Sequence, residues 1–149
     1  LRLALCTTCG STEDRPASGR HAAHLVSSAS GLSETLPGFR QTIRGSGRED
    51  SVMAFVGVWP SVAEAWGTRL ALLFIDGGHG VEPAHADYQG WVPHLVEGGT
   101  LLIHDVFPDP ADGGRPPFEI YQRAVASGAF AELDAVGSLR ALRRTGPGF

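Results

Sequence analysis

Apolar residues along the chain alternate between short continuous runs and helically spaced sets. The run from Leu70 to Ile75 is almost entirely apolar, which is typical of a strand buried on both faces. Thr100 to Ile103 has the same character. Between these runs, from Val81 to Leu95, apolar residues recur at helical spacing, with Pro83 tolerated in the first turn and Pro93 expected to kink or shorten the end. The alternation predicts an α/β fold built on a parallel sheet.

The N-terminal part of the chain has a weaker pattern. We predict a strand over Leu1 to Leu5, followed by a long loop or poorly ordered segment over Thr7 to Thr35, which is rich in Ser, Gly, Ala and Pro. A short helix follows from Leu36 to the Gly-Ser-Gly sequence that ends at Gly47. Ser51 to Val56 is then predicted as a strand, and Val62 to Trp66 as a brief helix.

The C-terminal part is predicted to close the sheet. The Gly98-Gly99 pair is expected to stop the long helix before the next strand begins. After a loop rich in Pro and Gly, apolar positions from Phe118 to Val125 mark another amphipathic helix. Phe130 to Val136 and Leu139 to Arg143 are close enough in sequence to pair as an antiparallel hairpin.

Composition narrows the class of protein. At 149 residues and 42% hydrophobic content, the chain is expected to form a single domain, 1–149, with a buried core. Sixteen acidic against twelve basic residues give a net charge of -4, which offers no surface for nucleic acid or an anionic membrane. No apolar run approaches a membrane span of roughly 20 residues. We therefore expect a cytoplasmic protein whose partner is a small molecule.

Ligand-type side chains follow two of the buried runs directly. Asp76 comes after the first, with His79 two glycines later, and His104 and Asp105 come after the second. Ligands of open parallel sheets bind at the carboxyl ends of the strands, so Asp76, His104 and Asp105 are expected to converge on one divalent cation. Magnesium, manganese and iron all remain open. The alternative is that the aspartates cap the following helices and that the histidines are buried and hydrogen-bonded.

Three stretches of the chain resemble a known family. They are Leu72 to His79 (LLFIDGGH), Gly98 to Asp105 (GGTLLIHD) and the loop from Phe107 to Pro117 (FPDP followed by GGRPP). They resemble the class I S-adenosylmethionine-dependent methyltransferases, within them a bacterial group related to macrocin-type O-methyltransferases and cephalosporin-hydroxylase-like proteins. The resemblance runs from about Thr35 to Arg144. It implies a Rossmann-like sheet, mostly parallel, with a C-terminal antiparallel hairpin.

The resemblance also implies roles for individual residues. It points to methyl transfer from S-adenosylmethionine to an oxygen of a small molecule. The three metal candidates would hold magnesium or another divalent cation that lowers the pKa of the acceptor hydroxyl, and His79, with Asp76, would be catalytic. Ser61, by its position after the third strand of the fold, would lie near the adenine. Asp76 and Gly77 would border the cofactor.

One part of the family pattern has no counterpart in the sequence. The first strand and its glycine-rich loop are not found, and Leu1 to Leu5 resembles the second strand. We therefore expect this chain alone to bind S-adenosylmethionine very weakly, and its exposed sheet edges to favour association into a homo-oligomer. Two rival interpretations stay open: a non-catalytic remnant or binding module of the same fold, and a metal-dependent hydroxylase-like protein.

Overall fold

The computed structural model describes residues 3–6, 36–53, 55, 59–76 and 80–149, with the backbone alone for 3–6 and 36. Contacts divide the chain into two compact units. One unit contains α1; the other contains the sheet and the remaining helices. The elements in chain order are β1 Leu3–Cys6, α1 Leu36–Ser46, α2 Trp59–Glu64, β2 Leu70–Ile75, α3 Val81–Trp91, a 3-10 turn Val92–His94, β3 Leu95–Ile103, α4 Pro116–Ala126, β4 Phe130–Val136 and β5 Leu139–Arg144.

The sheet contains five strands in the order β1-β2-β3-β5-β4. β1, β2 and β3 pair in parallel, whereas β5 pairs antiparallel with both β3 and β4. Among the strands described, β5 alone therefore runs against the others, and β4 runs in the same direction as β3. This arrangement confirms the predicted α/β, Rossmann-like class with a C-terminal antiparallel hairpin.

The position of β1 corrects one strand assignment. Leu3 pairs with Leu72 and Cys6 with Ile75, so β1 lies directly beside β2. In a doubly wound sheet of order 3-2-1-4-5, the neighbour of the fourth strand is the first strand. The interpretation of Leu1 to Leu5 as the second strand is therefore wrong, because a second strand would lie one place further from β2. β1 therefore occupies the position of the first strand, which the sequence analysis did not find.

The core lies on one face of the sheet. Alternate residues of β2 and β3, together with Leu142 of β5, are buried, and α3 covers them with Ala84, Tyr88 and Trp91. Trp59 and Trp66 pack edge-on against the Trp91 ring, with ring centroids 5.8 and 5.4 Å away. The helical spacing in α3 is the pattern that the sequence predicted. The continuous apolar run of β2 predicted burial on both faces, which is not observed, because Ala71 is exposed and Leu72 and Phe74 are only half-buried. None of the helices in the described ranges is both long and apolar enough to cross a bilayer.

Two glycines predicted to stop α3 lie inside β3 instead. α3 ends at Trp91, where Pro93 enters a 3-10 turn, and the strand already begins at Leu95. Leu70 pairs with Leu95 but Leu72 pairs with Thr100, so the residues between them form a bulge. Gly98 has a φ of 77°, which a residue with a side chain rarely adopts. The prediction failed because a bulge glycine and a helix-ending glycine look alike in sequence.

The predicted strand over Ser51 to Val56 is not observed in its described residues. The backbone N–H groups of Ser51 and Val52 both donate to the Arg48 carbonyl, at 2.9 and 3.0 Å, so the chain turns here and these donors are unavailable to a strand. Val52, Met53 and Phe55 instead line an apolar groove of about 380 Å³ with Phe39 and Ile43 of α1. Ala54 and Val56 lie outside the described residues.

The remaining element predictions are close to the structure. α2 begins at Trp59, three positions before the predicted Val62, because Pro60 is well tolerated in a first helical turn. α1, α4 and the hairpin agree with the expected segments to within a few residues. The predicted loop over 7–35 lies outside the described residues, and the single-domain assignment stays a prediction.

Candidate functional site at the carboxyl ends of β2 and β3

The carboxyl ends of β2 and β3 bring the two predicted motifs together. Ile75 and Ile103 are paired, and the backbone N–H of His104 donates to the Ile75 carbonyl at 3.0 Å. The ladder therefore extends one residue beyond the strands, which places His104 next to Asp76. The adjacency follows from the parallel register and agrees with the convergence that the sequence predicted.

His104 lies between the two carboxylates. Its Nδ1 is 2.9 Å from Asp76 Oδ1 and 3.2 Å from Asp105 Oδ1. The Phe74 ring approaches the imidazole edge-on, with the centroids 6.5 Å apart. The side chains of Asp76, His104 and Asp105 are 39%, 41% and 30% exposed, so all three remain open to a ligand from solution.

Asp105 has an unusual backbone conformation. Its φ is 57°, the one positive φ of a non-glycine residue among those described. Aspartate tolerates this left-handed region better than most residues, but at some cost in free energy. Asp105 lies two residues after the end of β3, and its carboxylate is 3.2 Å from the His104 ring. Such strain is often found where surrounding contacts hold a functional side chain in place.

Ser138 belongs to this site and was not predicted from the sequence. It lies in the turn between β4 and β5, where its Oγ is 3.4 Å from His104 Nε2 and its carbonyl accepts the N–H of Val106 at 2.9 Å. Because β4 runs in the same direction as β3, the turn after β4 reaches the same end of the sheet. The hairpin itself was predicted, but the pattern of its residues does not specify the strand direction that brings the turn to this end.

The alternative interpretation of these residues fails in part. The N-cap position of α3 is Gly80, and that of α4 is Arg115, and neither cap has a side-chain hydrogen bond. Asp76 and Asp105 are therefore not helix caps. His104 is hydrogen-bonded, as the alternative required, but it is not buried.

Two further histidines, on α3 and on the 3-10 turn, contact neighbouring parts of the fold. His85 pairs with Glu119 of α4 at 3.3 Å, and His94 Nε2 lies 2.9 Å from the carbonyl of Ala63. Both residues tie α3 or its 3-10 extension to neighbouring helices on the covered face of the sheet. Neither belongs to the group around His104.

The geometry of the three side chains fits a divalent cation. One ligand atom from each lies within 4.8 Å of the others. Two adjacent ligands of an octahedral magnesium or manganese ion, each about 2.1 Å from the metal, are separated by about 3 Å. The two distances from His104 Nδ1, 2.9 and 3.2 Å, agree with that separation. Two carboxylate oxygens and one imidazole nitrogen also form a donor set that admits magnesium, manganese or iron.

The other predicted site residues are not brought to this cluster in the described part of the chain. Ser61 is exposed on α2, and its carbonyl accepts the N–H of Ala65 at 3.2 Å. Gly77 and His79 lie outside the described residues. Their assigned roles in cofactor binding and catalysis remain predictions.

The loop that follows Asp105 is held in a compact shape by Arg115. Its guanidinium donates to the carbonyls of Phe107 and Pro108, at 3.2 and 3.1 Å, and stacks on the Phe118 ring at 4.2 Å. A Cβ atom at Gly113 would lie 2.2 Å from the Phe107 ring, so a larger residue there would require the ring to move. Gly113 and Arg115 of the third family-like stretch thus have a local structural reason.

Comparison with known proteins identifies the family. Residues 5–106 match a family described as a methyltransferase domain, a match that covers more than half of the chain. The chain belongs to this methyltransferase domain family.

Two solved structures are similar in fold. One is a protein from Staphylococcus aureus assigned as a caffeoyl-CoA O-methyltransferase, with a TM-score of 0.59, 12% identity, and 76% of this chain and 61% of that chain covered. The other is an O-methyltransferase family protein from Burkholderia thailandensis, with a TM-score of 0.58, 17% identity, and 74% and 41% covered. The chain therefore spans less than two thirds of the length of either protein.

Proposed function

We propose that the protein is an S-adenosylmethionine-dependent methyltransferase that acts on an oxygen of a small molecule and is assisted by a divalent cation. Membership of the methyltransferase domain family supports the transferase class. The two structures similar in fold are both described as O-methyltransferases, which favours oxygen as the acceptor atom.

One observation carries the metal-assisted form of the proposal. Asp76, His104 and Asp105 have ligand atoms within 4.8 Å of one another, at the end of the sheet where α/β folds bind ligands. Their side chains are between 30% and 41% exposed, so a cation and an acceptor have access from solution. The carboxylates also contact the histidine rather than a helix end, which argues against a purely capping role.

The residues of this chain divide the chemistry between them. Asp76, Asp105 and His104 Nδ1 would hold the cation, which when bound lowers the pKa of an acceptor hydroxyl. Asp76 and Gly77, with Ser61 on the adenine side, would border the cofactor, and His79 is the candidate base. Methyl transfer requires little beyond alignment of the acceptor oxygen with the departing methyl group. Side chains held at the carboxyl ends of paired strands would supply such alignment.

Isothermal titration with manganese and magnesium chloride tests the metal site. We expect a saturable heat that is lost in Asp76→Ala and in Asp105→Ala. The matched control is Asp112→Ala, which removes an exposed aspartate from the loop beyond the site. Heats that persist unchanged in both site variants would refute the metal assignment.

Photochemical labelling with methyl-tritiated S-adenosylmethionine tests the cofactor. We expect label in the tryptic peptides that contain Ser61 or Asp76, and we expect an excess of S-adenosylhomocysteine to suppress it. Label that S-adenosylhomocysteine does not suppress would contradict the proposal. Metal binding without any specific label would instead favour a non-catalytic binding module.

A further inference from the structure

The turn between β4 and β5 contacts the candidate metal site through Ser138. It approaches His104 from the β5 side of β3, whereas Asp76 approaches from the β2 side. The topology requires this, because β5 separates β4 from β3 and the tip of the hairpin points to the carboxyl end. Gly137 has a φ of 58°, which allows the tight turn, and Ser138 follows it. The turn thus delivers one hydroxyl to a site that lies 34 residues earlier in the chain.

Two contacts from Ser138 lie on either side of the strained aspartate. The Val106 N–H donates to the Ser138 carbonyl at 2.9 Å, and the Ser138 hydroxyl is 3.4 Å from His104 Nε2. Asp105, with its φ of 57°, lies between the two residues that are held. A left-handed residue persists only where its surroundings fix it, and the turn is the element that contacts both flanks.

The hydroxyl suits His104 in both neutral tautomers. When Nδ1 carries the hydrogen, it donates toward the carboxylates, and Nε2 is an acceptor that requires a donor. When Nδ1 is a metal ligand, the hydrogen is on Nε2, which then requires an acceptor. A serine hydroxyl donates in the first case and accepts in the second. An alanine supplies neither.

We propose that Ser138 is a positioning residue that holds the His104 ring with Nδ1 toward the two carboxylates and satisfies Nε2 whether or not a cation is bound. This inference rests on the metal site of the proposed function. Groups that hydrogen-bond to the second nitrogen of a ligand histidine commonly change metal affinity by about 10- to 100-fold when they are removed. The hairpin is therefore part of the site as well as the border of the sheet.

Two variants separate the hydroxyl from the backbone contact. Ser138→Ala removes Oγ but keeps the carbonyl that holds Val106, and Ser138→Thr keeps a hydroxyl. Ser127→Ala is the matched control, because it also removes a hydrogen-bonded serine hydroxyl, with contacts at 2.7 and 3.1 Å, but Ser127 lies before β4 at the other end of that strand. Thermal melting of each variant shows whether it is folded.

The first measurement uses the metal-free protein and does not depend on the proposed function. Long-range nitrogen-15 spectra report which ring nitrogen of His104 carries the hydrogen, with His104→Gln used to assign the signals. We expect one predominant tautomer, with the hydrogen on Nδ1, in the unaltered chain and in Ser138→Thr and Ser127→Ala. Ser138→Ala should shift the His104 signals toward a tautomer mixture. Unchanged signals in a folded Ser138→Ala protein would overturn the proposal.

The second measurement is the dissociation constant for manganese. We expect it to rise about tenfold in Ser138→Ala and to change less than about twofold in Ser138→Thr. If the unaltered chain binds no manganese, the metal site of the proposed function is wrong, and the tautomer spectra alone decide the positioning role. If manganese binds equally well to Ser138→Ala, the role of Ser138 in metal binding is refuted.

Discussion

The two ends of the sheet use polar side chains in opposite ways. At the amino end, where β3 begins, Arg144 donates to the carbonyls of Val92 and Leu95, at 2.8 and 2.7 Å. At the carboxyl end, His104 and the two aspartates contact mainly one another. A guanidinium group that donates to backbone carbonyls stabilises the fold and is not available to bind a ligand. Side chains that satisfy one another and remain exposed can exchange those contacts for a ligand.

The largest expected effect concerns the amino end. Arg144→Met keeps an apolar stem but leaves carbonyls of the buried residues Val92 and Leu95 without their charged donor. Each lost bond of this kind costs about 1.5 kcal/mol or more, so we expect the free energy of unfolding to fall by about 3 kcal/mol. Urea unfolding measures the loss, and manganese affinity should not change.

The control for this variant is Arg143→Met. Arg143 is exposed and makes one bond, at 2.7 Å, to the exposed carbonyl of Gly98. We expect a loss within about 0.5 kcal/mol. Equal losses in the two variants would mean that the carbonyl contacts of Arg144 do not hold the amino end together.

A smaller effect is expected from pH, through Tyr88 on the covered face. Burial raises the pKa of Tyr88 from 10.0 to about 12, although the nearby Arg123 and Arg144 lower it in part. The folded state therefore favours the neutral phenol. The resulting stability is present below about pH 10 and is lost as the pH rises toward 12. We expect the free energy of unfolding to be about 1.4 kcal/mol lower near pH 11 than near pH 9.

Tyr88→Phe isolates this contribution. The variant lacks the phenol, so its loss of stability between the same two pH values should be smaller than that of the unaltered chain. The hydrogen bond to Glu132 also raises the pKa of Tyr121, which lies partly exposed on α4, and that residue is present in both proteins. Identical pH dependence in both proteins would show that the buried phenol does not ionise in this range.

The smallest expected change in stability comes from Asp105→Gly at the carboxyl end. Unlike the substitution of Arg144 at the amino end, it should affect metal binding more than stability. Asp105→Gly relieves the positive φ at that position, so we expect the free energy of unfolding to rise by about 0.5 kcal/mol. The same substitution removes a candidate ligand, and the manganese dissociation constant should increase at least tenfold. A gain in stability with a loss of binding is the signature of a side chain retained for function.

Asp105→Asn supplies the comparison for that experiment. Asparagine tolerates the left-handed region as aspartate does, so stability should change little while the carboxylate charge is lost. If Asp105→Gly destabilises the protein, or if neither variant weakens manganese binding, Asp105 holds the structure rather than a ligand.

The sequence predicted those parts of the site that directly follow the continuous apolar runs. Asp76 and His104 each follow such a run, and the observed parallel register, with Ile75 opposite Ile103, places them side by side. Ser138 escaped prediction because its place depends on the direction of β4, which the hairpin pattern alone does not specify. The left-handed φ of Asp105 also has no signature in sequence, since aspartate is common at strand ends in ordinary conformations.

For the fold, too, the elements with a clear local pattern were predicted, and features set by contacts between distant residues were not. β2 was found from its continuous apolar run, and α4 and the hairpin from their spacing of apolar residues. The bulge around Gly98 and the turn at Arg48 depend on hydrogen bonds that local sequence does not specify. The neighbour of β1 is set by pairing across the sheet, which no pattern within Leu1 to Leu5 can indicate.

The insertion of β5 between β3 and β4 has a consequence for the order in which the molecule is made. β3 is completed only when Leu139–Arg144, near the C-terminal end of this chain, has been synthesised and folded back. Until then the backbone donors and acceptors along one side of β3 are unpaired, and His104 has no partner for Nε2. A nascent chain that has emerged only as far as α4 already contains both aspartates and the histidine, yet it lacks the element that fixes them. The site should therefore mature only after β5 has paired with β3.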